Sequence, residues 1–264
     1  MNQEEFIESE STDWAFLAHS EFVNEYQDLI AFYGIMVSCT QVVAYEHAVK
    51  SGKGWRAKQE YRKLKLSSGS LRLLAQEATT AKFSSSTVAI RLWSSLEYMA
   101  IRFLGDWLQR NRHLLETPAY RRLHIASGNK RVPLVKFATI ADDLQYYDIA
   151  HLVAGFHGYQ KENGAKRLSQ IIGVTGIDVG FTAVTHRWLC ELEQMRHTLL
   201  HRGRWANDRL KEMSPNPSHG MWPEVWPSMD QFSRYTSAAR RYSMTFANEI
   251  VRAAQSGALV SSCG

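Results

Sequence analysis

The chain has 264 residues, 45% of them hydrophobic, enough to bury a sizeable core as one large domain or two small ones, which excludes a disordered tail or a small stapled scaffold. Charged residues make up 22% and the formal net charge is +5, a balance that favours an acidic partner such as nucleic acid. Cys39, Cys190 and Cys263 are odd in number, widely spaced and free of any C-x-x-C pairing, so neither a disulfide framework nor a cysteine zinc site is suggested, and a reducing compartment is expected.

The opening MNQEEFIESESTDW is acidic and lacks the basic-then-apolar profile of a secretory leader. No run of about 18 apolar residues suggests a membrane span, so the expectation is a soluble cytoplasmic protein with no membrane partner. From roughly Thr12 to Val49, Phe16, Phe22, Tyr26, Leu29, Ile30, Tyr33 and Val37 recur at helical spacing, and SGKG at 51–54 breaks the helix. The next segment, WRAKQEYRKLKLSSGSLRLLAQEATTAKF, is helical by propensity and strongly basic, the pattern of a solvated face.

Ser84, Ser85 and Ser86 offer caps for the most apolar helix, STVAIRLWSSLEYMAIRFLGDWLQRN. On a helical wheel Val88, Leu92, Trp93, Leu96, Met99, Phe103, Leu104, Trp107 and Leu108 cover over half its circumference, which predicts a central helix contacted from several sides. Pro118 and Pro133 bracket a loop containing HIASGNKR, followed by shorter helical pieces in LVKFATIADDLQYYDIAHLVAGF. GVTGIDVG at 173–180 lacks the G-K-[ST] of a phosphate-binding loop and reads as a turn.

A helix from about Phe181 to His201 follows, then MSPNPSHGMWPEVWPS, which holds four of the six prolines. In the last helix, about 229–254, Met229, Phe232, Thr236, Ala239, Tyr242, Phe246, Ile250 and Ala253 mark one face. Nothing alternates with period two for long enough to argue a sheet, and no repeat is visible. The fold class expected is all-α, an antiparallel helical bundle, with residues 1–83 as an N-terminal helical extension, 84–254 as the main helical domain and 255–264 as a flexible tail.

The stretch that asks for a functional explanation is EQMRHTLLHRGRW at 193–205. Periodicity puts Phe181, Val184, Trp188, Leu189, Leu192, Met195, Leu199 and Leu200 on one apolar face, and Arg196 falls inside it. A guanidinium cannot shed its proton, so there it needs a counter-charge, an anion or an escape to water. His197 and His201 lie one turn apart beyond the edge of that face. Arg196 and His201 are separated by about 140° and about 7.5 Å of rise on an ideal helix. They would converge on one small ligand only if the helix ended or unwound between them, or if a second copy of the chain completed the site.

Arg196, His197 and His201 in RHTLLHRG, with the lead-in LCELEQM, resemble the signature of the HEPN superfamily (higher eukaryotes and prokaryotes nucleotide-binding domains), in its RiboL-PSP/MAE-type group. The resemblance covers roughly residues 84–254. The family's usual form is an arginine, commonly followed by asparagine, then a histidine four to six positions later, at the end of one helix of a bundle. His197 stands here in place of the asparagine, and the 204–228 loop is longer than a minimal domain needs.

The resemblance implies a metal-independent endoribonuclease and, as a frequent role of the family, a toxin or defence effector with an antitoxin or regulatory protein partner. It also implies a homodimer, because the family builds its cleft from the motifs of two protomers. The side chains suit that chemistry. Attack of a ribose 2′-hydroxyl on the adjacent phosphorus needs a proton acceptor or donor and a cation for the developing charge. The resemblance implies that His201 supplies the first and Arg196 the second, with His197 assisting or orienting. The basic clusters Arg56–Lys65, Arg121–Arg131 and Arg202–Lys211 are expected to guide RNA, with Arg202, Arg204 and Trp205 nearest the motif and Trp222 or Trp226 also available for stacking.

Blander readings stand beside these. Arg196 is open to a structural ion pair with Glu193 or Glu97, which would support a catalytic arginine equally well. The tryptophans of 214–228 suit a plug over the bundle end. His186, Cys190, Glu193, His197 and His201 share a narrow stripe, but the H-E-x-x-H glutamate and a second ligand cluster are missing, so no metal and no cofactor is expected. The alternative function is a non-catalytic HEPN-like nucleotide- or RNA-binding or scaffold protein.

Overall fold

Long apolar periodicity becomes long helices. In the computed structural model the described residues are all-α, apart from one short hairpin. The structure describes residues 3–51, 77, 81–127, 130–139, 141, 143–201, 208–213, 225–256 and 259. The elements are α1 (Gln3–Ser51), α2 (Lys82–Arg110), β1 (His124–Ser127), β2 (Lys130–Pro133), α3 (Leu134–Ala138), α4 (Asp143–Phe156), α5 (Gly164–Gly173), α6 (Ala183–His201), α7 (Asp208–Met213) and α8 (Met229–Gln255).

The hairpin corrects the expectation of no strands. β1 and β2 pair antiparallel with Ile125 opposite Val132, inside the segment read as a loop between Pro118 and Pro133. Four residues per strand are too few for alternation to register as a pattern. The cap of α2 also differs from expectation. The helix begins at Lys82, and the buried Glu77 carboxylate accepts the N–H groups of Phe83 and Ser84, each at 2.7 Å. Ser84, Ser85 and Ser86 are buried within its first turns and do not precede it.

The breadth of the α2 apolar face is as the periodicity predicts. Among its residues only Phe83, Thr87, Arg91, Tyr98 and Arg110 are exposed. On α8, Phe232, Thr236, Ala239, Tyr242, Phe246 and Ile250 are buried, whereas Met229 at its start is exposed. No helix among the described residues is long and apolar enough to cross a membrane.

The chain divides into two compact units, each assembled from separate stretches: Met1–Glu25, Trp93–Glu193 and Ser237–Gly264 form unit 1, and Tyr26–Leu92 and Gln194–Thr236 form unit 2. Their boundaries fall inside α1, α2, α6 and α8.

In unit 1 the Phe103 ring stacks on Trp14 at 5.8 Å and meets the edge of Phe246 at 5.0 Å, while Arg110 lies over Trp14 at 4.6 Å. Helix α4 approaches α2 at Gly105, where a Cβ would stand 3.1 Å from the Tyr146 carbonyl oxygen. The buried Tyr146 hydroxyl in turn donates to the Ala138 carbonyl at 3.0 Å. In unit 2, Tyr33, Ala81, Val88 and Phe232 form a core cluster flanked by Leu29, Ile30 and Val37. Tyr33 stacks on Phe232 at 4.1 Å and its hydroxyl reaches Met229 Sδ. Burial, followed by the nearby Glu77 carboxylate, pushes that hydroxyl's pKa up.

Candidate active site

Helix α6 opens on a side-chain cap. The Thr182 hydroxyl accepts the Thr185 N–H at 3.1 Å, so the helix starts two residues after Phe181 and runs without a break to His201. Leu189, Leu192 and Met195 are wholly buried, as periodicity predicts. Glu191, Glu193, Gln194 and Thr198 are buried as well, so the middle of α6 is enclosed on more sides than one apolar face accounts for. Val184 and Leu200, placed on that face by periodicity, are 56% and 47% exposed.

Arg196 is half-buried, and its Nε is buried with no hydrogen-bond partner among the described residues. The Thr198 hydroxyl, on a fully buried residue, is in the same position. A buried donor left unmade costs about 1–3 kcal/mol, and more when it carries charge. His197 and His201 are both exposed, with ring centroids 5.0 Å apart at an angle of 48°. Because α6 is continuous through Arg196 and His201, the about 140° between them on an ideal helix persists. The helix therefore neither ends nor unwinds between the two side chains.

Glu97 and Glu193 belong to unit 1, and there both pair with Arg167, a residue that the sequence reading did not single out. Arg167 reaches Glu97 Oε1 and Glu193 Oε1, each at 2.8 Å, and its guanidinium lies 5.1 Å from the Tyr159 ring. Burial opposes the guanidinium charge, but the two carboxylates outweigh it and raise the Arg167 pKa. The second Glu193 oxygen accepts the Gly164 N–H at 2.8 Å. Gly164 has φ +54°, and a Cβ there would lie 2.4 Å from Cys190 Sγ and 2.7 Å from its backbone nitrogen, so only glycine permits this approach of α5 to α6. The signal available in the sequence was the amphipathic run AKRLSQII directly after Gly164.

The histidine stripe considered for a metal divides in the same way. Cys190 Sγ contacts His186 at 3.5 Å, Glu193 is engaged by Arg167, and His197 pairs with His201. Among the described residues no group of three or more His, Cys, Asp or Glu side chains is placed to hold a metal ion. Among the described residues Cys39 and Cys190 form no disulfide, and Cys263 lies outside them.

Arg202, Arg204, Trp205, Trp222 and the cluster Arg56–Lys65 also lie outside the described residues. Arg121, Arg122 and Arg131 are exposed beside the hairpin. Trp226 is half-buried with Lys82 Nζ 4.0 Å over its ring, and the Ser85 hydroxyl donates to the Pro227 carbonyl at 3.0 Å. That tryptophan thus packs on the start of α2 within unit 2. Comparison with protein-family models, curated proteins and solved structures gives no match to this chain.

Proposed function

We propose that the chain is a metal-independent, HEPN-type endoribonuclease that works as a homodimer. The observation that carries the reading is the arrangement at the end of α6: an exposed histidine pair follows a half-buried arginine whose Nε is unpartnered among the described residues, in the order of the RHTLLHRG motif. The angular separation on a continuous helix favours a site in which Arg196 of one protomer and His201 of the other face one phosphate. The exposed Leu200 beside the histidines supplies apolar surface for such a contact.

In this mechanism the ribose 2′-oxygen attacks the adjacent phosphorus while its proton passes to an imidazole. The phosphorus–5′-oxygen bond breaks as that oxygen takes up a proton. His201 exchanges the proton, and His197 holds it in orientation. Arg196 presents its planar fork to the phosphoryl oxygens as their charge grows. A role as a toxin or defence effector, with a regulatory protein covering the histidine pair, belongs to the same proposal.

The test is cleavage of a mixed-sequence labelled RNA by purified protein in excess EDTA, with His201→Ala and Arg196→Ala beside the unmodified chain. The expected result is cutting that survives chelation and disappears in both variants. No cutting by the folded protein would instead favour the non-catalytic binding or scaffold reading.

A further inference from the structure

Unit 1 contains a cleft that no residue of the RHTLLHRG motif lines. It has a volume of about 660 Å³ and is lined on one side by Gly180, Phe181, Thr182 and Thr185 and on the other by residues of α8. The α8 residues are Ser237, Arg240, Arg241, Met244, Thr245 and Asn248. Their spacing follows steps of three and four, so one continuous stripe of α8 faces the cleft.

The chemistry of this lining is one-sided. It includes two arginines, four hydroxyl residues besides Tyr242 and one amide, and no carboxylate. Neither the Arg240 nor the Arg241 guanidinium has an ion-pair partner among the described residues, unlike Arg102, Arg167, Arg234 and Arg252. Two guanidiniums without ion-pair partners along one stripe can share an anion. The Ser237 hydroxyl, the Asn248 amide and whichever of Thr182 and Thr185 accepts from the other can donate to the same anion's oxygens, while Thr245 donates to the Arg241 carbonyl at 3.0 Å. The half-buried Phe181 adds a flat apolar surface at the cleft wall.

The floor is held rigidly. Tyr242 is fully buried, its hydroxyl pairs with Ser169 Oγ at 3.0 Å, and Ser169 Oγ donates to the Val179 carbonyl at 3.1 Å. These bonds tie α8 to α5 and to the segment that precedes α6, so the two walls keep their separation before any ligand arrives. Preorganisation of this kind lowers the ordering cost of binding.

We propose that this cleft binds a nucleotide phosphate, with Arg240 and Arg241 on the phosphate oxygens and Phe181 against the base. The volume lies in the range of small-ligand sites. Two sources share the chemistry, a free nucleotide and a phosphate within an RNA strand.

Isothermal titration of the full chain with AMP, and separately with a short 5′-phosphorylated RNA oligonucleotide, distinguishes them. Binding of AMP assigns a free nucleotide, and binding of the oligonucleotide alone assigns the strand. In either case Arg240→Gln with Arg241→Gln is expected to weaken binding about tenfold or more, as loss of charge-assisted hydrogen bonds does. Both positions are exposed, so the thermal midpoint is expected to stay unchanged. Phe181→Ala is expected to weaken AMP more than inorganic phosphate. Failure of both probes to bind, or equal affinity in the double variant, overturns the proposal. RNA cleavage by Arg196 and His201 is read separately, so either proposal can fail while the other stands.

Discussion

The imidazole rings of His197 and His201 lie with centroids 5.0 Å apart on the last turn of α6, both exposed. Proximity makes the two open to division of labour, one exchanging the proton and the other fixing its partner's orientation. His201→Ala is expected to lower RNA cleavage by about 10²–10⁴-fold, the usual contribution of a positioned acid–base group. His197→Asn, which restores the residue common in the resembling family, is expected to retain cleavage within a few-fold, and His197→Ala to lose more. Single-turnover rates on a labelled RNA check this ordering. Equal loss in His197→Asn and His201→Ala would give His197 a proton-transfer role instead.

Arg167 joins Glu97 and Glu193, and removing it leaves two half-screened carboxylates facing each other. Arg167→Met is expected to destabilise the chain by about 2 kcal/mol, below the full cost of breaking a wholly buried pair because the arginine side chain is 24% exposed. Arg167→Lys is expected to recover only part, since an ammonium cannot present the same planar fork to both carboxylates. Urea unfolding midpoints with an unchanged slope measure the loss.

At Gly164 a methyl group meets Cys190 from too close, and φ is positive as well. Gly164→Ala is expected to destabilise by about 2–4 kcal/mol, combining backbone strain and overpacking. Gly173→Ala, at the other end of α5 with nothing within 4 Å of the added carbon, is expected to change stability by less than about 1 kcal/mol. Thermal melts of the pair separate a helix-contact effect from a general intolerance of α5.

Burial lowers the imidazole pKa of His151, with Glu97 and Asp148 opposing it and Arg167 adding to it. His19, His157 and His186 are lowered by burial too. Each binds a proton more weakly folded than unfolded, where histidine titrates near about 6.5. The stability these groups contribute is therefore present above that value and lost as pH falls through their depressed folded pKa. The thermal midpoint is expected to drop between about pH 7 and about pH 5, and His151→Gln to flatten part of the slope. A profile that His151→Gln leaves unchanged would contradict this assignment.

The long helices were legible because burial repeats at 3.6 residues over many turns, as with Leu92, Leu96, Met99 and Phe103 on α2. Arg196 stood out for the same reason, a charge inside an apolar arc, and its half-buried position agrees. The roles of Arg167 and Gly164 were not legible, because they depend on partners brought from other helices. Glu191, Gln194 and Thr198 were missed on α6 because polar side chains give no apolar signal where tertiary packing encloses them. The β1–β2 hairpin was missed because its strands are too short to show a period.

In the proposed dimer one site takes Arg196 from one protomer and His201 from the other. Coexpressing the Arg196→Ala and His201→Ala chains and assaying RNA cleavage in EDTA tests it most directly. A shared site gives mixed dimers with one intact Arg196–His201 combination, so about a quarter of the unmodified activity should return from two inactive parents, half the dimers being mixed and half their sites complete. A mixture as inactive as its parents, in dimers shown to contain both chains, would contradict the account.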